Sequence, residues 1–131
     1  MTFGKQKGKV RGELQTMSNL LATVNLEIGY PTVEEARRTL RSELERLKAR
    51  KAVAVKIIHG YGSSGIGGAL RKGIRASLNK RKKEGMIQAV IFGENWSIFD
   101  PLARKLLDSC PELAKDRDMG SSIPGISIAL L

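Results

Sequence analysis

The chain has 131 residues, enough for one domain with a real core, and 41% of them are hydrophobic against 27% charged. Lys and Arg number 23 against 13 acids, a net charge of +10 that favours an anionic partner: nucleic acid first, an anionic membrane surface second. The lone Cys110 excludes an internal disulfide framework and a multi-cysteine zinc site, no apolar run reaches the roughly 18 residues of a spanning helix, and Met1 to Leu20 is too polar for a signal peptide, so a cytoplasmic location is expected.

Met1 to Ala22 mixes glycines with Lys5, Lys7, Lys9 and Arg11 and has little periodicity, which reads as a flexible basic tail ahead of a domain spanning 23–131. Thr23 to Ile28 alternates, with Val24, Leu26 and Ile28 on one face of a predicted strand that Gly29, Tyr30 and Pro31 end. Thr32 followed by Glu35 is a capping box. It opens a helix with Val33, Ala36, Leu40, Leu44 and Leu47 on one stripe, ending near Arg50. Ala52 to Ile58 is a buried strand interrupted by Lys56, and Ala69 to Lys82 is a helix with Leu70, Ile74 and Leu78 inward. That pattern leaves Arg71, Lys72, Arg75 and Lys82 facing outward. Gly85 stops the helix, and Met86 to Phe92 is a third strand. Asp100 before Pro101 caps a short helix to about Ser109, a loop follows Pro111, and Gly125 to Leu131 is the last strand. The order β-α-β-α-β-α-β predicts an α/β fold, a two-layer sandwich on a four-stranded mixed sheet with right-handed crossovers.

The charge is polarised along the chain. Residues 33–51 hold seven bases and four acids, and residues 71–83 hold seven bases and no acid. Between Glu94 and Asp118 the sign reverses, with six acids against four bases. The cluster from Arg71 to Lys83 is therefore a candidate nucleic-acid surface, although helix exteriors are often basic for solubility alone.

The stretch after the second strand carries the most chemistry. Gly60-Tyr61-Gly62-Ser63-Ser64-Gly65, running into a helix N-terminus, is a candidate phosphate cradle, where the bland alternative is a glycine turn for close packing. Its G-x-G-x-x-G spacing fits the dinucleotide fingerprint, but it follows the second strand rather than the first, and no acid ends the next strand at the required distance. A P-loop is excluded because Ile66 stands where Lys is needed. His59, the only histidine, adjoins the cradle at a strand end, where α/β folds place ligands. A packing histidine is the competing reading.

Val24-Asn25-Leu26-Glu27, Thr32-Val33-Glu34-Glu35-Ala36, Ile57-Ile58-His59-Gly60-Tyr61-Gly62-Ser63-Ser64-Gly65 and Pro124-Gly125-Ile126-Ser127-Ile128 together resemble the small MutS-related (Smr) domain in a short, free-standing form. The His-Gly-Tyr-Gly block is the most specific part. Family members begin with Leu-Asp-Leu-His-Gly; here Asn25 stands at the Asp and Glu27 at the His, and Gly29 falls one residue late. The resemblance implies binding of DNA or RNA and, in active members, nicking to which that Asp and His are thought to contribute. On this pattern a catalytic set would be His59, Glu27 and Asn25, with Glu27 as base or as a carboxylate for Mg²⁺ or Mn²⁺. The replaced pair makes binding a safer inference than catalysis. Two other classes fit less of the sequence: a non-catalytic adaptor reading the backbone and shape of structured nucleic acid, and a small nucleotide-binding enzyme supported by the glycine spacing alone. Six aromatics make no stacking platform for single strands; Tyr61 alone is placed to stack beside the loop.

Overall fold

The computed structural model describes residues 21–60 and 65–131. Four strands, β1 (Leu21–Asn25), β2 (Ala54–Ile58), β3 (Ala89–Phe92) and β4 (Ile126–Leu130), alternate with helices α1 (Val33–Ala49), α2 (Gly65–Lys83) and α3 (Pro101–Ser109). Short 3₁₀ turns at Gly93–Asn95 and Pro111–Lys115 flank α3. The sheet order is β1-β2-β4-β3. β1 and β2 pair in parallel, while β4 runs antiparallel to both β2 and β3. The last strand is thus inserted between strands that all point the other way. Every residue of it is buried.

Local signals act as the sequence predicts. Thr32 caps α1 by accepting from the Glu35 N–H at 3.1 Å, and the Glu35 carboxylate accepts from the Thr32 N–H at 2.8 Å. Ala36, Leu40, Leu44 and Leu47 are the buried stripe. Asp100 accepts from the Leu102 and Ala103 N–H groups to start α3, with Pro101 at the first helical position. Gly85, at φ +81°, takes the left-handed conformation that ends α2.

The α/β class, the element order and the four-stranded mixed sheet are as expected, and the sandwich gains a third layer. Alternate residues of β2 part to two cores: Val55 and Ile57 pack beneath α1 and α2, whereas Ala54 and Ile58 pack beneath α3 and Trp96. Lys56 also points to this second side. Its ammonium donates to Asp116 Oδ1 and Asp118 Oδ2, each at 2.6 Å, and Trp96 Nε1 donates to Asp116 Oδ2 at 2.9 Å. Burial works against this charge, but the two carboxylates outweigh it and raise the lysine's pKa. The expected loop after Pro111 therefore opens with a 3₁₀ turn, and Asp116 and Asp118 just beyond it tie the loop to the sheet.

Several boundaries differ: α2 starts at Gly65 rather than Ala69, β2 at Ala54 rather than Ala52 and β3 at Ala89 rather than Met86. Leu21 and Ala22, assigned to the tail by their sequence neighbours, begin β1 opposite Ala54 and Val55. Ile28, expected on the buried face with Val24 and Leu26, is 77% exposed because the chain leaves the strand and turns through Gly29, at φ +82°. The rest of Met1 to Leu20 lies outside the described residues.

Gly93 closes β3 so near the Ile123 carbonyl and Ile126 that a Cβ would overlap both. Gly93→Ala should lower the unfolding free energy by about 1–3 kcal/mol, as overpacking against backbone does. Urea denaturation of the purified variant measures it, and a wild-type midpoint would contradict the contact.

Candidate nucleic-acid interface

The register brings the C-terminal ends of β1, β2 and β3 to one edge of the sheet, where β4 begins: Asn25 pairs with Ile58, Ile58 with Ile126, and Phe92 with Ser127. α2 starts at the same edge, at Gly65. Asn25, Glu27 and Gly60 thus lie together at this edge, while His59 turns its ring inward. Asn25 Oδ1 accepts from the Glu27 N–H at 2.9 Å, and this Asx turn holds the exposed Glu27 over Gly60. A Cβ on Gly60 would overlap the Glu27 carboxylate, and Gly60 has φ +76°. The positive φ calls for glycine there, whereas the exposed Glu27 carboxylate is the end of a flexible side chain that can move aside.

His59 is wholly buried on the α1–α2 side of the sheet. Nδ1 lies 2.8 Å from the Gly60 carbonyl and Nε2 lies 2.9 Å from Ser127 Oγ. A carbonyl can only accept, so Nδ1 carries the proton; in the neutral ring Nε2 then accepts from the Ser127 hydroxyl. Burial lowers the imidazole pKa first; the Gly60 carbonyl opposes this, and the nearby Arg75 and Arg71 charges add to the lowering. The backbone N–H groups of His59 and Gly60 both donate to the Gly125 carbonyl, at 2.9 and 3.0 Å. Histidine here is a neutral tie between the strand ends, with both nitrogens engaged within the protein.

The basic residues of α2 divide into three groups. Arg75 does not face outward: its guanidinium donates to both Glu94 oxygens and to the Pro124 carbonyl, and it stacks 4.4 Å from the Phe92 ring centroid. Arg75 hydrogen bonding is the main cause holding the Glu94 pKa down. Arg71 is half-buried one helical turn nearer the N-terminus, close enough for its charge to act on His59 and Glu94. Lys72 is exposed. Lys82 is exposed too, but at the far end of the helix, roughly 25 Å from Gly65 at 1.5 Å per residue. Tyr61, Gly62, Ser63 and Ser64 lie outside the described residues, and Gly65 belongs to α2.

As a metal site the edge offers little. Glu27 presents one carboxylate, Asn25 Oδ1 is already accepting, and Glu94 is held by Arg75. Among the described residues no three His, Cys, Asp or Glu side chains are grouped to hold an ion. The residues present do not fit a preformed Mg²⁺ or Mn²⁺ centre. Two residues of this edge carry roles that sequence reasoning did not assign: Ser127, quoted only as part of the closing motif though it is the one polar residue of an apolar strand, and Glu94, which had no local signal.

The Smr domain family model matches residues 28–93, just over half of the chain, from the turn after β1 to the end of β3. The chain belongs to the Smr domain family, whose members generally bind nucleic acid and include some nicking endonucleases. The matched span contains the glycine loop and α2; Asn25 and Glu27 precede it. The crystal structure of the Smr domain of Thermus thermophilus MutS2 is similar, with a TM-score of 0.51 and 20% identity, over 84% of this chain and 96% of that one. This likeness concerns the fold. No curated protein matches the sequence. Among the described residues no helix is long and apolar enough to cross a membrane.

The His59 pKa lies below the ordinary imidazole value in the folded state, so the unfolded chain binds the proton more readily. The stabilisation is full above about pH 6.5 and is lost as pH falls through the lower folded value. Unfolding free energy should therefore decline on acidification from pH 7, and a His59→Gln variant should lack that component. Ser127→Ala, which leaves buried Nε2 without a donor, should cost about 1–3 kcal/mol by the same denaturation measurement.

Proposed function

We propose that this chain is a nucleic-acid-binding module that grips the phosphodiester backbone at the strand-end edge and does not cleave it. The observation that carries the reading is the His59 imidazole: buried, neutral and hydrogen-bonded at both nitrogens, it has no nitrogen left to accept or deliver a proton in a bound substrate. Binding draws on different groups. The first N–H groups of α2 have no partner within the helix and favour an anion, and Arg71 and Lys72 add charge within the next two turns. In this reading Asn25 and His59 are positioning residues: Asn25 fixes the Glu27 turn, and His59 fixes Gly60 ahead of the glycine loop. The phosphate contacts expected of the sequence Gly60-Tyr61-Gly62-Ser63-Ser64-Gly65 would adjoin α2, the anchoring helix. Arg75 supports the edge by holding Glu94 and the Pro124 backbone. Either DNA or RNA satisfies this chemistry, which reads backbone before base.

A nicking activity has one observation in its favour, the exposed Glu27 carboxylate above Gly60. It would need Glu27 as base with Mg²⁺ or Mn²⁺ supplied largely by substrate phosphates.

The two readings part in a paired experiment. Binding to a labelled DNA duplex and an RNA hairpin, titrated with salt, should give a steep negative slope. Arg71→Gln and Lys72→Gln should each flatten it by about 0.7–0.9, whereas Arg75→Gln should mainly lower stability. Supercoiled plasmid or structured RNA with Mg²⁺ or Mn²⁺ should be nicked no faster by wild type than by His59→Ala. Robust wild-type nicking that Glu27→Ala reduces by about 10²–10⁴ would establish catalysis instead.

A further inference from the structure

The fold segregates the charge that the sequence strings along the chain. Residues 33–51 and 71–83, which supply α1 and the last two thirds of α2, hold fourteen bases and four acids between them, a surplus equal to the net charge of the whole chain. Both helices cover the same face of the sheet. Residues 94–118, most of which build the opposite layer, hold six acids and four bases, with Glu94 alone of these acids turned to Arg75 of α2. One layer is therefore strongly positive and the other mildly negative, an arrangement that turns a single face towards a polyanion.

Between the two positive helices runs a groove of about 180 Å³, lined by Arg37, Arg38 and Arg41 of α1 and by Ser77 and Arg81 of α2, with Glu34 at one end. The helices can approach closely because Gly73 of α2 sits against Val33, where a Cβ would overlap the Val33 side chain. Buried Ser77 accepts from Arg37 Nε at 3.0 Å and so directs that guanidinium along the groove. Arg37 has no carboxylate partner among the described residues. Arg38 and Arg41 reach Glu34 and Glu45 at 3.9 and 3.5 Å, exposed pairs that contribute little and exchange readily for a stronger anion. Guanidinium groups are suited to phosphate because their planar donors engage two oxygens at once.

We infer that the α1–α2 groove is a second seat for the phosphodiester backbone, separate from the strand-end edge, so that a bound nucleic acid lies along the helical face of the domain. This deepens the proposed function and rests on it. The sequence motif draws attention to α2 and its loop; the groove adds α1, whose arginines look like an ordinary solvated helix face until α2 is laid beside them.

The test compares two triple variants with the same loss of charge. Arg37→Gln/Arg38→Gln/Arg41→Gln removes the groove; Arg104→Gln/Lys105→Gln/Lys115→Gln removes three exposed bases from the opposite layer. Each is titrated with salt on the duplex and hairpin probes by fluorescence anisotropy. The groove variant should bind more weakly to every sequence and lose about 0.7–0.9 from the salt slope for each phosphate contact removed. The opposite-layer variant should keep the wild-type slope. Equal weakening of both variants would mean a long-range charge effect and overturn the groove, as would a wild-type slope in the groove variant. If the triple groove variant fails to fold, the double variant Arg38→Gln/Arg41→Gln, which keeps the Arg37–Ser77 hydrogen bond, carries the same comparison. No binding by wild type would overturn the groove together with the function it serves. Loss confined to the Arg71 and Lys72 variants would overturn the groove alone.

Discussion

The buried pairing of His59 with Ser127 is the constraint on which the functional edge depends. β4 enters the sheet antiparallel, between strands that end where it begins, and this junction must be closed without exposing polar backbone. The imidazole closes it from the β2 side, donating to Gly60 and accepting from Ser127, while the Gly125 carbonyl takes two N–H groups from the same corner. Gly60 is thereby held at φ +76° beneath Glu27, and the chain leaves towards the glycine loop in a defined direction. A histidine is well matched to this work because its two nitrogens lie far enough apart to reach both partners. The same burial that makes it a good tie removes it from acid–base chemistry.

Around this corner the charged groups are arranged by layer. Arg75 is spent on holding Glu94, the Pro124 backbone and Phe92 together, so the positive face begins at Arg71 and Lys72 and continues across α1. The opposite layer uses its acids inwardly as well: Asp116 and Asp118 neutralise Lys56, and Asp116 also anchors Trp96. Fourteen bases against four acids in the two helical segments, and an excess of acids in the segment that builds the opposite layer, give the molecule an electrostatic direction that no single residue carries. Phosphate contacts of this kind set orientation and affinity, with sequence reading left to other groups.

Much of the fold was legible in local patterns. The Thr32 capping box, the stripe from Ala36 to Leu47, the Asp100–Pro101 start and the stop at Gly85 each depend on neighbours in sequence, and each is where the pattern puts it. The third layer was not legible, because what covers the second face is a short helix and a 3₁₀ turn held by Lys56, an ion pair between residues about sixty positions apart. Ile28 misled for a related reason: alternation continues past the point where Gly29 turns the chain out. At the site, the parallel pairing of β1 with β2 sets Asn25 and Glu27 beside Gly60. Spacing could not reveal that His59 is buried or that Arg75 faces Glu94, since both depend on which strand lies beside β2 and β3.

The single histidine makes the central claim directly measurable. Long-range ¹H–¹⁵N NMR of the imidazole reports its tautomer and protonation without assignment ambiguity. The structure predicts a proton on Nδ1, a bare Nε2 at neutral pH, a titration midpoint below the ordinary imidazole value, and resonances unmoved when nucleic acid saturates the protein. A ring that titrates near pH 6.5, or whose Nε2 signal shifts on binding, would contradict the buried tie and return His59 to the reacting side of the site.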